Sequence, residues 1–218
     1  MALATPDPDT AAAVGRWAAD LQAMPPAQLA QKCWTIAPQD VESMYADKQA
    51  VLSALARPGV AEGPTVVWGG TDDAATVVAQ RADIATGYAC PRIARPGTQI
   101  EYTPADARHV VRRYLARRTG RPLDPADQEG SHPLVCPASP ATWDPTGSGA
   151  PGVPPLATDP DAFGPVRSFV DESITSEQRS PGYLAVSAQV TDDNGMQRQH
   201  TFTVAQTERG HCLGDTSS

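Results

Sequence analysis

The order of residue patterns along the chain predicts an α+β protein, because short helical pieces come first, a strand pair follows, and a long helix precedes a closing run of strands. Two segments carry most of that prediction. Between Thr103 and Gly120, a cap residue, a proline, an apolar stripe and a terminal glycine spell out one complete helix. Between Tyr183 and Gln206, two alternating runs flank Asn194 and Gly195, which is the strongest short-range signal for a β-hairpin.

The elements follow in order. Residues 1–9 are polar, proline-bearing and without periodicity, and they read as a disordered tether ahead of one domain over 10–218. Thr10 is placed to cap a helix whose Val14, Trp17, Leu21 and Met24 recur at helical spacing, and Pro25 and Pro26 end it. Pro26 and Pro38 each suit the first turn of a further short helix, and Asp47 can cap a fourth over Lys48 to Ala56. The runs 65–68 and 76–79 are rich in β-branched residues and flank a Gly-Asp turn, so they predict a hairpin; 83–93 could extend that sheet, with Pro91 marking an edge or an exit.

In the 103–120 helix, Ala107, Val110, Val111, Tyr114 and Leu115 form the stripe that faces a sheet, which leaves His109, Arg112, Arg113 and Arg117 on the other sides. Residues from about 137 to 165 are dominated by Pro, Gly, Ser, Thr and Asp and predict a long loop pinned by its aromatics, Trp143 above all. Strands are expected over 166–174, 183–190 and 197–206. Leu184, Val186, Ala188 and Val190 lie on one face, which gives the sheet a buried and a wetter side.

Composition narrows the function classes. The chain has 218 residues, of which 40% are hydrophobic and 19% charged, enough for one main core of modest size. A net charge of −8 with no basic tail disfavours nucleic acid and anionic lipid surfaces as partners. No run of about 18 apolar residues is present to span a bilayer. The first residues lack the features of a signal peptide, so export requires that a leader was removed.

The four cysteines, Cys33, Cys90, Cys136 and Cys212, are even in number, widely spaced and free of any C-x-x-C pair, which suits two structural disulfides in an oxidising compartment more than a metal site. Three pairings are possible. The positions lean towards Cys90 with Cys136, bracketing the arginine-rich helix, and Cys33 with Cys212, tying the start to the last strand.

No nucleophile elbow, Walker A loop, dinucleotide fingerprint, H-E-x-x-H pair or EF-hand loop occurs, so no cofactor or metal is implied, and the four histidines are scattered. The adjacent carboxylates Asp171/Glu172 and Asp192/Asp193 are better explained as strand neighbours on opposite faces and as turn formers. Arg112, Arg113 and Arg117 are the candidate binding residues, since guanidiniums clamp carboxylates and phosphates in a bidentate way, although a solvated helix face paired with acids is the commoner fate of such a cluster. Trp143, alone in the long loop, is the fourth candidate, either as a loop anchor or as a sticky surface.

The order of elements resembles the NTF2-like or cystatin-like architecture, which implies a helix held in a curved sheet and a cavity at one end. Beyond the fold, the phrases Cys33 to Asp47, Thr65 to Gly69, Gly87 to Pro91 and Gly210 to Asp215 resemble exported or lipoprotein-type cell-envelope proteins of mycobacteria and related actinobacteria. That resemblance covers the chain from about residue 10 to its end. It implies an extracytoplasmic, non-enzymatic protein acting by binding or assembly with a protein or lipid partner at the envelope, touching membrane only through a lipidated tether. A small-molecule or lipid binder, with a cavity between the 104–119 helix and the sheet, is the alternative; an unrecognised hydrolase or isomerase is the third.

Overall fold

A computed structural model describes residues 5–70 and 74–217. It is mixed α+β, with helices and two antiparallel four-stranded sheets. The expected single domain resolves into two compact units, Met1–Glu101 and Tyr102–Ser218, each with its own hydrophobic cluster. Every large strand pairing is between sequence neighbours, so each half closes its own core without borrowing from the other sheet.

The first unit opens with α1 (Pro8–Ala23), α2 (Pro26–Lys32), α3 (Pro38–Met44) and α4 (Lys48–Leu55). Of the expected tether, residues 1–4 lie outside the described residues, and Pro8 and Asp9 are already helical. The cap is Asp7, whose carboxylate accepts from the Thr10 backbone N–H, and not Thr10 itself. Proline at the first helical position starts α1, α2 and α3, where its missing N–H costs nothing. Strands β1 (Val60–Glu62), β2 (Thr65–Trp68), β3 (Thr76–Gln80) and β4 (Arg92–Ala94) form an antiparallel sheet in that order, and α5 (Arg81–Ala85) follows β3. The stretch expected to extend the sheet is thus split, with a helical turn first and an edge strand after Pro91.

Alternation does the work in this sheet: Val66, Trp68, Val77 and Ala79 are buried while their neighbours are not. Trp17 packs edge-on against Tyr45 at 5.0 Å, and the buried Tyr45 hydroxyl donates to the Pro91 carbonyl at 2.7 Å. Trp68 covers Gly59 so closely that a Cβ there would overlap its indole.

The second unit is built on α6 (Pro104–Arg118). Thr103 caps it as the sequence predicts, and Asp106 completes a reciprocal capping box. After a long irregular stretch and the single turn α7 (Pro155–Thr158) come β5 (Val166–Ser180), β6 (Tyr183–Asp192), β7 (Gln197–Thr207) and β8 (Gly210–Ser217), an antiparallel meander in chain order. The β6–β7 turn falls at Asn194-Gly195 as expected, β5 runs six residues further than expected, and β8 is a fourth strand that the glycine-bearing end of the sequence conceals. Leu184, Val186, Ala188 and Val190 are buried, Leu184 opposite Val204 and Val186 opposite Phe202, and they join Ala107, Val111, Tyr114 and Leu115 of α6 in one cluster.

Both disulfides form, but with the pairing corrected: Cys33 bonds Cys90, and Cys136 bonds Cys212. The separations are 57 and 76 residues, and each bridge stays inside one unit. The physical reason is the second core. With one core, a bond from the helical start to the last strand is natural; with two, each bridge ties an irregular segment to its own sheet or helices. No helix among the described residues is long and apolar enough to cross a membrane.

Candidate functional site

The arginines of α6 are where the sequence concentrates its functional signal, and the helix sends them into three different segments. Arg108 donates to Ser176 Oγ of β5 at 2.9 Å, and Arg112 pairs with Asp171 of β5 at 2.7 Å. These two are four residues apart and so lie on one side of the helix. Arg113 and Arg117 repeat the same spacing on another side, towards the segment after the helix. Arg118 reaches Asp161 at 3.2 Å and the Gly164 carbonyl at 2.7 Å.

The centre of this arrangement is Asp127. Its side chain is fully buried; Oδ2 accepts from Arg113 Nε at 3.2 Å and Oδ1 from Arg113 Nη2 at 2.6 Å. Arg117 adds Nε at 3.0 Å and a further short contact from Nη2 to the same oxygen. Arg117 also meets Glu129 at 2.6 Å and the His132 carbonyl at 2.6 Å. Glu129 in turn accepts from the backbone N–H groups of Leu134 and Val135, both at 2.9 Å.

Burial pushes the Asp127 carboxyl up, but the bonds and charges of Arg113 and Arg117 outweigh it and hold the group below the ordinary carboxylate range. An ionised carboxylate bonded on both oxygens is an anchor and has no proton to give at neutral pH.

The stripe of Ala107, Val111, Tyr114 and Leu115 faces the sheet as expected, but the other sides of the helix are not all solvated. Arg113 and His109, assigned to the outer sides of the helix, are both 6% exposed, and Arg113 is met there by Asp127 of the segment that follows the helix. Nothing in the helix sequence separates Arg113 from a solvated arginine. The available signal was Asp127, an acid in the loop that follows directly.

Trp143 takes the anchoring role. Its backbone exchanges hydrogen bonds with Gly152 at 3.1 and 2.9 Å, and its ring stands edge-on to Tyr183 at 5.2 Å. It also lies against Gly214, a bulge residue of β8 where any Cβ would overlap the indole. Asp144 then ties the loop to itself, accepting from the N–H groups of Ser148 at 2.9 Å and Gly149 at 2.7 Å. The first of these bonds is the main reason that its carboxyl lies below the ordinary value. Residues 137–160 are irregular apart from the Trp143–Gly152 bridge and α7, as expected, yet they are fastened at several points.

In the first unit, Asp20 Oδ2 accepts from Lys32 Nζ at 2.6 Å and from the Tyr88 hydroxyl at 2.8 Å. His200 stacks edge-on against Phe163 at 5.0 Å, and burial, then the Arg198 charge, hold its pKa below the ordinary histidine value. No group of three or more His, Cys, Asp or Glu side chains arranged to hold a metal ion occurs among the described residues. Comparison with protein-family models, with curated proteins and with solved structures finds no match to this chain. The two disulfides, with no free cysteine beside them among the described residues, are the mark of an oxidising, extracytoplasmic environment.

Proposed function

We propose that this chain is a non-enzymatic, exported protein of the cell envelope, tethered or secreted, that acts by binding or assembly. The observation that supports the reading best is the pair of disulfides, one in each unit, since such bridges persist where thiols are kept oxidised. A second support is the use of the strongest charged cluster: Arg112, Arg113 and Arg117 pair with Asp171, Asp127 and Glu129, so the groups best suited to bind an anion hold the fold together. The resemblance of the cysteine- and tryptophan-bearing phrases to actinobacterial envelope proteins points the same way.

One observation favours the alternative of a small apolar or lipid-like ligand. The Tyr114 hydroxyl is buried with no hydrogen-bond partner among the described residues, and its ring packs with Phe163 and Phe202 at 5.8 and 6.0 Å. A buried hydroxyl without a partner is costly, and a ligand oxygen beside it would remove that cost. The test is mass spectrometry of protein, lipid and small molecules that co-purify with the natively exported form. A protein partner in the envelope fraction supports the main reading, a stoichiometric lipid supports the alternative, and recovery of the protein with reduced thiols from the cytosol contradicts both.

A further inference from the structure

Two hydroxyls of the second unit, Tyr114 Oη and Thr216 Oγ1, are buried with no hydrogen-bond partner among the described residues. They belong to one place. Thr216 stands directly across from Phe202 in the regular stretch of the β7–β8 pair, outside the register shift at Thr203/Val204, so the two side chains share the face that carries α6. The Tyr114 ring meets Phe202 edge-on at 6.0 Å, and Phe163 completes the group at 5.8 Å from Tyr114 and 5.1 Å from Phe202. His200, two residues before Phe202 and so on the same face, rests edge-on against Phe163 at 5.0 Å.

Other tyrosines of the chain show what is missing at Tyr114. Tyr45 donates to the Pro91 carbonyl at 2.7 Å, Tyr88 to the Asp20 carboxylate at 2.8 Å and Tyr183 to the Thr142 carbonyl at 3.3 Å. A buried hydroxyl without a partner costs its full desolvation, and here two such costs fall beside one aromatic cluster. The surroundings limit what can relieve them. Burial above all holds the Tyr114 phenol over its ordinary value, so it stays protonated and has a hydrogen to give. Arg118, the cation that bears on it, already serves Asp161 and the Gly164 carbonyl, and the charges of Glu129 and Asp161 bear on it too. An anion would therefore lack a counter-charge there and meet two carboxylates, whereas an uncharged oxygen would find two hydroxyls.

We propose that this aromatic cluster seats an uncharged apolar ligand whose hydroxyl or carbonyl oxygen bonds Tyr114 and Thr216, the chemistry of a long-chain alcohol or an acyl ester. Its apolar body lies against Phe163 and Phe202. Phe163 is the way in, because it is half-buried on the turn between Asp159 and Gly164, whereas Phe202 is fully buried in β7. The proposal rests on the lipid-ligand alternative and deepens it by naming the chemistry of the ligand's head. A trapped water would satisfy the same hydroxyls, and that occupant is what the experiment must exclude.

The chain has 3 phenylalanines, Phe163, Phe169 and Phe202, so ring-labelled phenylalanine reports on the cluster by NMR with few signals to assign. The probe is 1-octanol added to the full chain, with octanoate as its charged match. The expected result is saturable movement of the Phe163 and Phe202 signals with 1-octanol, and binding of octanoate weaker by about tenfold or more. Tyr114→Phe and Thr216→Val each weaken 1-octanol by roughly threefold to tenfold. Both leave the melting temperature of the ligand-free protein unchanged or higher, since each removes a hydroxyl that has no partner there. Ligand-free variants that melt below the wild type would assign the hydroxyls to a bound water and overturn the proposal. Saturable shifts that neither variant weakens, or octanoate binding as tightly as 1-octanol, overturn the head chemistry while the lipid reading stands. A 1-octanol titration that moves neither signal overturns both.

Discussion

The two units are similar in length, and each contains one disulfide, yet they hold their irregular segments in different ways. In the first, the links between helices are short and the cluster is almost wholly apolar, with Trp17 and Trp68 both completely buried. In the second, the connections after α6 are long and poor in apolar residues. The helix compensates with side chains that bond: Arg113 and Arg117 hold the segment around Asp127, Arg118 holds Asp161 and Gly164, and Trp143 and Phe163 add local apolar anchors. A segment that cannot bury enough hydrophobic surface to offset its ordering entropy can still be fixed by buried, charge-assisted hydrogen bonds. Such bonds carry a sensitivity that apolar packing lacks, because each partner left alone is a buried charge.

That contrast can be broken most severely inside the second core. Val111 is fully buried in the cluster between α6 and the sheet. Val111→Asp places a carboxylate there without a partner and should cost about 4–5 kcal/mol or more. Hydrogen exchange is expected to show loss of protection over 102–218 while the Trp17 and Trp68 region stays protected; collapse of both together would mean that the cores are not independent.

Removing either bridge should come next. In the chain-entropy account, closing loops of 57 and 76 residues contributes roughly 4 kcal/mol each, with only about 0.3 kcal/mol between them. Cys33→Ala/Cys90→Ala and Cys136→Ala/Cys212→Ala should therefore lower stability to nearly the same extent in denaturant titrations. A much smaller loss in the second pair would mean that the bonds of Leu134 and Cys136 to Leu213 hold that segment unaided.

The ion-pair centre makes the second unit sensitive to pH. Asp127→Asn removes the carboxylate that two largely buried guanidiniums share, leaving Arg117 with Glu129, and should cost about 3 kcal/mol at neutral pH. The native Asp127 carboxyl titrates below its ordinary value of 3.8, so the stabilisation is complete above that value and is lost as the pH falls through the lower, folded one. His200, held below 6.5 by burial, acts in the same direction, since the unfolded chain takes up its proton first as the pH falls. Thermal unfolding should thus show the second unit weakening from about pH 6.5 downwards and more steeply below about pH 4, and Asp127→Asn should flatten the lower part. A variant with the same acid limb as the wild type would remove Asp127 from the account.

The smallest effect is the sharpest comparison. The side chains of Arg112 and Asp171 are 34% and 41% exposed, whereas that of Arg113 is 8% exposed and that of Asp127 not at all. Arg112→Ala should cost under about 1 kcal/mol, and Arg113→Ala about 3 kcal/mol, although the two residues are adjacent in sequence. Equal melting temperatures for these variants would erase the distinction between a surface pair and the buried clamp.

What was legible in the sequence was what local chemistry decides. The Thr103 cap, the prolines opening α2 and α3, the Asp47 cap and the Asn194-Gly195 turn are all set by residues within a few positions of one another. What was not legible depends on contacts distant in sequence. Nothing near Arg113 indicates that Asp127 meets it, and nothing near any cysteine tells which of the others is close. The ending Gly210–Ser217 hides a strand in part because its Gly214 serves the bulge beside Trp143, a demand made by a residue some seventy positions earlier. The division into two cores is of the same kind, since it is decided by which strands find which helices.

The two-unit arrangement stands or falls on how the four cysteines are joined. Peptide mapping of the unreduced protein by mass spectrometry, with free thiols blocked before digestion, reads this without ambiguity. The expected result is two linked species, Cys33 with Cys90 and Cys136 with Cys212. A peptide joining Cys90 to Cys136, or Cys33 to Cys212, would tie the halves covalently and contradict two self-contained, separately stapled units.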